Sequence, residues 1–193
     1  MLSIGLPLKQ VQLLSKFFIE IGSCDFDTCY PLLENGWSGI MVEAVPEIAV
    51  SLPTHPNLTV INEVISDYDG EIDFYVSEGD DWVKGISHVA NSNHKGTKLL
   101  EHPLNEKHLK GKYKFPCMTL DTLIKKYGVE KIDYLKLDVE GHETNIIESY
   151  SWSIKPTFIK LEHWHIDDKN MKRMLESQGY VVYTEDRDIY AIQ

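Results

Sequence analysis

The chain has 193 residues, 42% hydrophobic and 25% charged, enough for one well-cored domain and short for two. A formal net charge of -11 opposes a nucleic-acid partner, since the lysines between Lys84 and Lys126 are interleaved with acids and histidines and form no basic patch. No apolar stretch nears the ~18 residues of a membrane span, Met1 to Leu14 lacks a signal-peptide pattern, and Cys24, Cys29 and Cys117 have neither disulfide nor zinc spacing, so a reduced cytoplasmic setting is expected.

Met1 to Ser15, with Leu8, Val11, Leu13 and Leu14, has the spacing of a short packing helix. Phe17, Phe18, Ile19 and Ile21 then form an apolar run too short for a helix, the signature of a buried parallel strand. Gly22 and Ser23 open a turn, Asp27 or Thr28 can cap a helix through Leu32, Leu33 and Asn35, and Gly36 stands where a left-handed residue would stop it. A second strand, Gly39 to Val42, ends on Glu43, twenty-one positions past Gly22. In a nucleotide-binding βαβ unit, an acid about that far on reaches the ribose hydroxyls.

The turn after the first strand has one glycine where a dinucleotide fingerprint has three, so few backbone amides are open to a pyrophosphate. A cofactor with an adenosine end and no phosphate needs less room, and S-adenosylmethionine is such a molecule. Its cationic groups suit the carboxylates Glu20 and Asp25.

Pro46 begins a brief helix to Leu52, and Leu58 to Ile61 is a third strand. Val64 to Val76 reads as a hairpin turning at Asp69-Gly70. Ser77 to Lys114 is polar and aperiodic, with His88, His94, His102 and His108, and is expected to be an inserted lid or substrate loop. Phe115 to Thr119 restores order, followed by a helix from Leu120 to Tyr127 that stops at Gly128. Ile132 to Leu137 is a fourth parallel strand ending on Asp138, and Thr144 to Tyr150 a helix. Thr157 to Leu161 is a fifth strand ending at Glu162, and Asp168 to Gln178 a helix stopped by Gly179. Tyr180 to Thr184 and Asp188 to Ile192 form a closing antiparallel hairpin.

Alternating strands and helices of this kind predict an α/β fold with one mostly parallel sheet. Ligands of such sheets bind where strand order reverses, so Glu20-Ile21-Gly22 and Asp138-Val139-Glu140 are expected to face one another.

The stretches FIEIGSCDFD, GWSGIMVEAVP, VISDYDGEIDFYV, TLDTLIKKYG, IDYLKLDVEGHE and FIKLEH together resemble the FkbM family of S-adenosylmethionine-dependent methyltransferases, from about Lys16 to His163. The resemblance implies a Rossmann-like class I methyltransferase fold: a seven-stranded sheet in the order 3-2-1-4-5-7-6, the last strand antiparallel, with helices on both faces. It also implies that Glu20, Gly22 and Asp25, with Ser23 beside them, line the methionine end of the cofactor. Glu43, next to Ala44, would hold the ribose, and Asp138 would lie near the amino group. The sequence departs from the family's first motif at Phe26, where a second glycine is usual.

Methyl transfer to a hydroxyl requires in-line positioning and removal of a proton. His163 is the candidate base with Glu140 as its partner, beside Asp138; His88, Glu140, His142, Glu162 and His165 are candidates to bind the acceptor. His163 and His165, two apart, are expected to point the same way along an extended continuation of the fifth strand. Asp138, Glu140, Glu162 and His163 also make a divalent metal possible, although no spacing requires one and no ligand set is assigned. A small-molecule or glycan acceptor is the expected partner, with Trp82, Trp152 and Trp164 available to stack on a sugar face. The alternatives are a non-catalytic S-adenosylmethionine-binding module and a nucleotide-cofactor oxidoreductase or epimerase; the glycine-poor turn speaks against the second.

Overall fold

The structure, a computed structural model, describes residues 16–24, 28–79, 85–90 and 109–193. The expected helix over Met1 to Ser15, together with Asp25, Phe26, Trp82, His94, His102 and His108, lies outside the described residues.

A sheet of seven strands organises the chain: β1 (Phe17–Ile21), β2 (Ser38–Val42), β3 (Leu58–Ile61), β8 (Tyr134–Leu137), β9 (Phe158–Glu162), β10 (Val181–Glu185) and β11 (Asp188–Ile192). From one edge to the other the order is β10-β11-β9-β8-β1-β2-β3, and β11 runs antiparallel to both its neighbours. The first and fourth strands of the sheet, β1 and β8, are therefore adjacent and parallel, with Ile21 opposite Leu137. This is the point at which chain order reverses, and their carboxyl ends frame a crevice.

Both faces of β1 are buried, which is why its sequence is continuously apolar apart from Glu20. Ile19 and Ile21 pack into the main core with Leu120, Leu123, Ile146, Ile147, Met171 and Leu175. Those residues come from α2 (Leu120–Lys126), α3 (Glu143–Ser149) and α4 (Asp168–Ser177). On the other face Phe18 and Met41 pack with Leu33 and Leu52. Among the described residues this second layer is thinner than expected: Tyr30–Asn35 is a single 3-10 helix, and α1 (Pro46–Ala49) is one turn. Pro31 at the start limits the 3-10 segment, and Gly36, at φ +79°, ends it in the left-handed region.

The described residues of the region expected to be a hairpin and a long loop form a second sheet, while 80–84 and 91–108 of that loop lie outside the described residues. β4 (Val64–Ser66), β5 (Gly70–Ser77), β6 (His88–Val89) and β7 (Leu109–Thr119) lie in the order β4-β7-β5-β6. β7 inserts between the two halves of the supposed hairpin, parallel to β4 and antiparallel to β5. Asp69 does not close a hairpin turn; its carboxylate accepts from the Thr119 amide at 2.7 Å and the Thr122 hydroxyl at 2.8 Å, tying this corner to the start of α2. β7 begins at Leu109, ahead of the Phe115 start read from the sequence. Its exposed Lys110, Lys112, Tyr113 and Lys114 conceal the strand, because one edge of it is solvated. The small sheet presents Val64, Ile72, Phe74, Val76 and Val89 to Val45, forming a separate apolar layer over the crevice.

No helix among the described residues is long and apolar enough to cross a membrane.

Candidate active site

The crevice at the ends of β1, β2 and β8 opens into a pocket whose polar lining includes Gly22, Cys24, Glu43, Ala44 and Asp138. Gly22 sits at φ +80°, and a Cβ built on it would lie 1.8 Å from the carbonyl oxygen of Asp138. The turn can therefore close on β8 only through a glycine. The amides of Gly22 and Ser23 both donate to the Val42 carbonyl, at 3.0 and 3.2 Å, folding the turn across β2. Ser23 is buried and its hydroxyl also points to that carbonyl, so it shapes the turn and does not line the pocket.

Glu43 reaches the pocket from the end of β2, as its spacing from Gly22 predicts. Its carboxylate accepts from the Cys24 amide at 2.9 Å and the Val45 amide at 2.8 Å, which fixes its direction. Asn62, which carried no recognisable motif, donates to the carbonyls of both Glu43 and Ala44 at 2.9 Å and pins this strand end from β3's side.

Glu20 lies elsewhere. It is 0% exposed, is not part of the pocket wall, and pairs with the equally buried Lys136 at 3.1 Å. It also accepts from the Cys29 amide at 2.9 Å. The pair follows from register, since Glu20 of β1 stands opposite Lys136 of β8. The sequence signal for it is one acid and one base, each inside an otherwise apolar strand.

Asp138 is held up to about 6 by burial, partly offset by the charge of Lys136. Beyond it the chain turns sharply through Glu140 at φ 55° and Gly141 at φ 96°. Glu143, at the first turn of α3, closes this loop by accepting from the Val139 amide at 2.8 Å and the Gly141 amide at 3.1 Å. Its carboxyl is nonetheless pushed up to about 8 by complete burial.

Beside the crevice, at the ends of β8 and β9, donor atoms of Glu140, Glu162 and His165 lie within 4.8 Å of one another. The His165 Nε2 and a Glu140 oxygen are 3.3 Å apart. Burial first, then the neighbouring carboxylates Glu140, Asp138, Glu143 and Asp188, raise Glu162 to about 9. His165, and not His163, is therefore Glu140's partner. The chain does not continue extended past β9: it turns at once, with the Ile166 amide donating to the His163 carbonyl at 3.3 Å, so the strand alternation expected to align the two imidazoles stops at Glu162. Among the described residues the Nε2 of His163 has no hydrogen-bond partner, and the same holds for Glu162 Oε2 and His88 Nε2.

His142, expected to meet the acceptor, is buried on another side of the loop, with its Nε2 3.0 Å from the Ser66 hydroxyl of β4. It joins the two sheets. Trp152 packs against the core with its ring tilted on Tyr150 and Tyr180, leaving Trp164, 57% exposed and stacked on His165, as the described tryptophan beside the cluster.

A family model described as the methyltransferase FkbM domain matches residues 20–182. The chain belongs to the FkbM methyltransferase family. The FkbM match begins within β1, at Glu20, and runs into β10, so the crevice, the acid and imidazole cluster and the inserted sheet all lie within it. No curated protein and no solved structure matches the chain.

Proposed function

We propose that this FkbM-family chain transfers a methyl group from S-adenosylmethionine to a hydroxyl of a sugar or another small molecule. The observation that carries the reading is the single pocket that gathers Gly22, Glu43, Ala44 and Asp138 at the reversal point of the sheet.

The lining suits this cofactor. Ile48, Val64, Phe74 and Val89 give an apolar wall for adenine, Glu43 offers acceptor oxygens to the ribose hydroxyls, and Asp138 supplies an anion to a cationic amino-acid end. When bound, S-adenosylmethionine supplies an electrophilic methyl carbon on a sulfonium. The protein's part is to align the acceptor oxygen with that carbon and to remove the hydroxyl proton. His163 is the residue we assign to the proton, which its Nε2 would accept as the oxygen–carbon bond forms. Trp164 stands exposed beside the cluster, but the Arg187 guanidinium lies 3.4 Å over its ring and His165 stacks on it, so a sugar would have to displace one of them to reach an aromatic face. A small-molecule acceptor also accords with the formal charge of -11, which disfavours a polyanion.

The test is transfer of labelled methyl from S-adenosylmethionine to a panel of glycans and small alcohols, with His163→Gln beside the wild type. The reading expects label in at least one hydroxyl acceptor and a loss in kcat of about 100-fold or more for the variant. Label appearing only on nitrogen or carbon acceptors would overturn the O-methylation assignment.

A further inference from the structure

The hairpin that closes the main sheet brings one cation to the edge where the crevice opens. β11 runs antiparallel to β9, and Asp188 stands opposite Glu162, so the turn between β10 and β11 lies at the carboxyl end of β9. That turn is Asp186, at φ 51°, followed by Arg187. The Arg187 carbonyl accepts from the His163 amide at 2.8 Å, which fixes the turn beside the residue assigned to the acceptor proton.

Arg187 is exposed, yet its side chain is held. Its guanidinium carbon lies 3.4 Å over the centre of the Trp164 ring, and Trp164 stacks on His165 with the ring planes 17° apart. At 3.4 Å the group lies flat, because an edge-on guanidinium would drive its nitrogens into the ring. Stacked in this way it keeps its N–H donors along its own edges, directed away from the indole. The neighbouring acids are engaged by other groups: Asp188 meets Lys160 at 3.1 Å and the Tyr190 hydroxyl at 3.2 Å, and Glu140 meets His165 at 3.3 Å. Among the described residues, no carboxylate forms an ion pair with Arg187. An arginine oriented by an aromatic ring and left without a carboxylate is a fork set for an oxyanion, which it meets through two parallel N–H donors.

We propose that Arg187 anchors a carboxylate or a phosphate carried by the acceptor. The assignment rests on reading the ends of β8 and β9 as the acceptor side of a methyltransferase. It narrows the acceptor class to a sugar or small alcohol that bears one anionic group besides its hydroxyls, such as a uronic acid or a sugar phosphate. Burial raises Glu162 to about 9, so at neutral pH this carboxyl adds no negative charge against such a molecule. The edge of the guanidinium also gives a sugar a contact that leaves the Arg187–Trp164–His165 stack in place.

The test needs no methyl donor. The full chain is titrated with methyl β-glucuronide, glucose 6-phosphate and methyl β-glucoside, following tryptophan emission, beside Arg187→Gln and Trp164→Phe. Saturable binding of at least one anion is expected, roughly millimolar or tighter, with the neutral glucoside weaker by about tenfold or more. Arg187→Gln should weaken the anion by about tenfold or more at an unchanged melting temperature, and Trp164→Phe should remove the emission change. Which of the two anions binds tells a carboxylate from a phosphate. No saturable binding, equal binding of neutral and anionic sugars, or an Arg187→Gln variant that binds like the wild type would overturn the proposal. An emission change that persists in Trp164→Phe would place the anion elsewhere and overturn it equally. The methylation reading is judged apart. Labelled transfer to neutral acceptors alone, with Arg187→Gln as active as the wild type, would remove the anchor and keep the methyltransferase; anion binding at Arg187 with no transfer to any acceptor would do the reverse.

Discussion

Gly22 and Asp138 meet backbone to backbone: the site of a Gly22 Cβ is 1.8 Å from the Asp138 carbonyl oxygen, while the Asp138 amide donates to Ile21 at 3.0 Å. The two strand ends that frame the crevice are thus held at a separation that any side chain on Gly22 would break. Gly22→Ala combines this clash with a φ of +80° that L residues rarely adopt. It is expected to cost at least about 2 kcal/mol of stability and to abolish binding of the methyl donor. Urea unfolding and calorimetry on the same sample check both.

Glu20 and Lys136 are a buried pair at 3.1 Å. Lys136→Met leaves the Glu20 carboxylate in the core without its ammonium partner and is expected to cost about 3 to 5 kcal/mol. Adding Glu20→Gln to that variant should recover much of the loss, since the amide oxygen can still accept from Cys29 and no buried charge remains. A double variant no more stable than the single one would mean that shape, not charge, governs the site.

The carboxyls at the end of β8 and β9 set a pH dependence. An unshifted glutamate titrates near 4.5, whereas burial raises Glu143 to about 8 and Glu162 to about 9. The folded chain therefore holds protons that the unfolded chain releases. Stability from these groups is complete below about pH 4.5 and falls as the pH rises through 8 to 9. In chelator, Glu162→Gln should flatten this decline and melt above the wild type at pH 9, by roughly 1 to 2 kcal/mol, while matching it at pH 4.5. Chemical unfolding across that range measures it.

Asn62 is exposed yet bonds the carbonyls of Glu43 and Ala44 at 2.9 Å each. Asn62→Ala loosens the strand end that carries Glu43, and is expected to weaken donor binding by about tenfold at a small cost in stability, as two lost hydrogen bonds of about 0.5 to 1.5 kcal/mol imply. Calorimetric affinity set against melting temperature separates the two effects.

The main sheet was readable because its central strands are short apolar runs, with β1, β2, β8 and β9 ended by a glycine or an acid, and because Gly36, Gly128 and Gly179 stop their helical segments at positive φ. Gly22 and Glu43 were readable from spacing alone. The second sheet was not, because β7 pairs with partners far away in sequence, from Ser77 with Leu109 to Val64 with Cys117, and the local Asp69-Gly70 signal suggested a hairpin. Local turn chemistry competes poorly with such pairing when the turn's aspartate finds amide and hydroxyl partners elsewhere. His163 and His165 were assigned from a strand period that ended at Glu162. Glu20 was read as a cofactor ligand because register, which pairs it with Lys136, is invisible in one strand's sequence.

The most direct test of the central claim is isothermal calorimetry of the full chain with S-adenosylmethionine and S-adenosylhomocysteine, beside Glu43→Gln. The account predicts micromolar-class binding of both, about -8 kcal/mol, weakened at least tenfold in the variant while its melting curve stays near that of the wild type. A folded wild type that binds neither molecule, or binds a dinucleotide in their place, would contradict it.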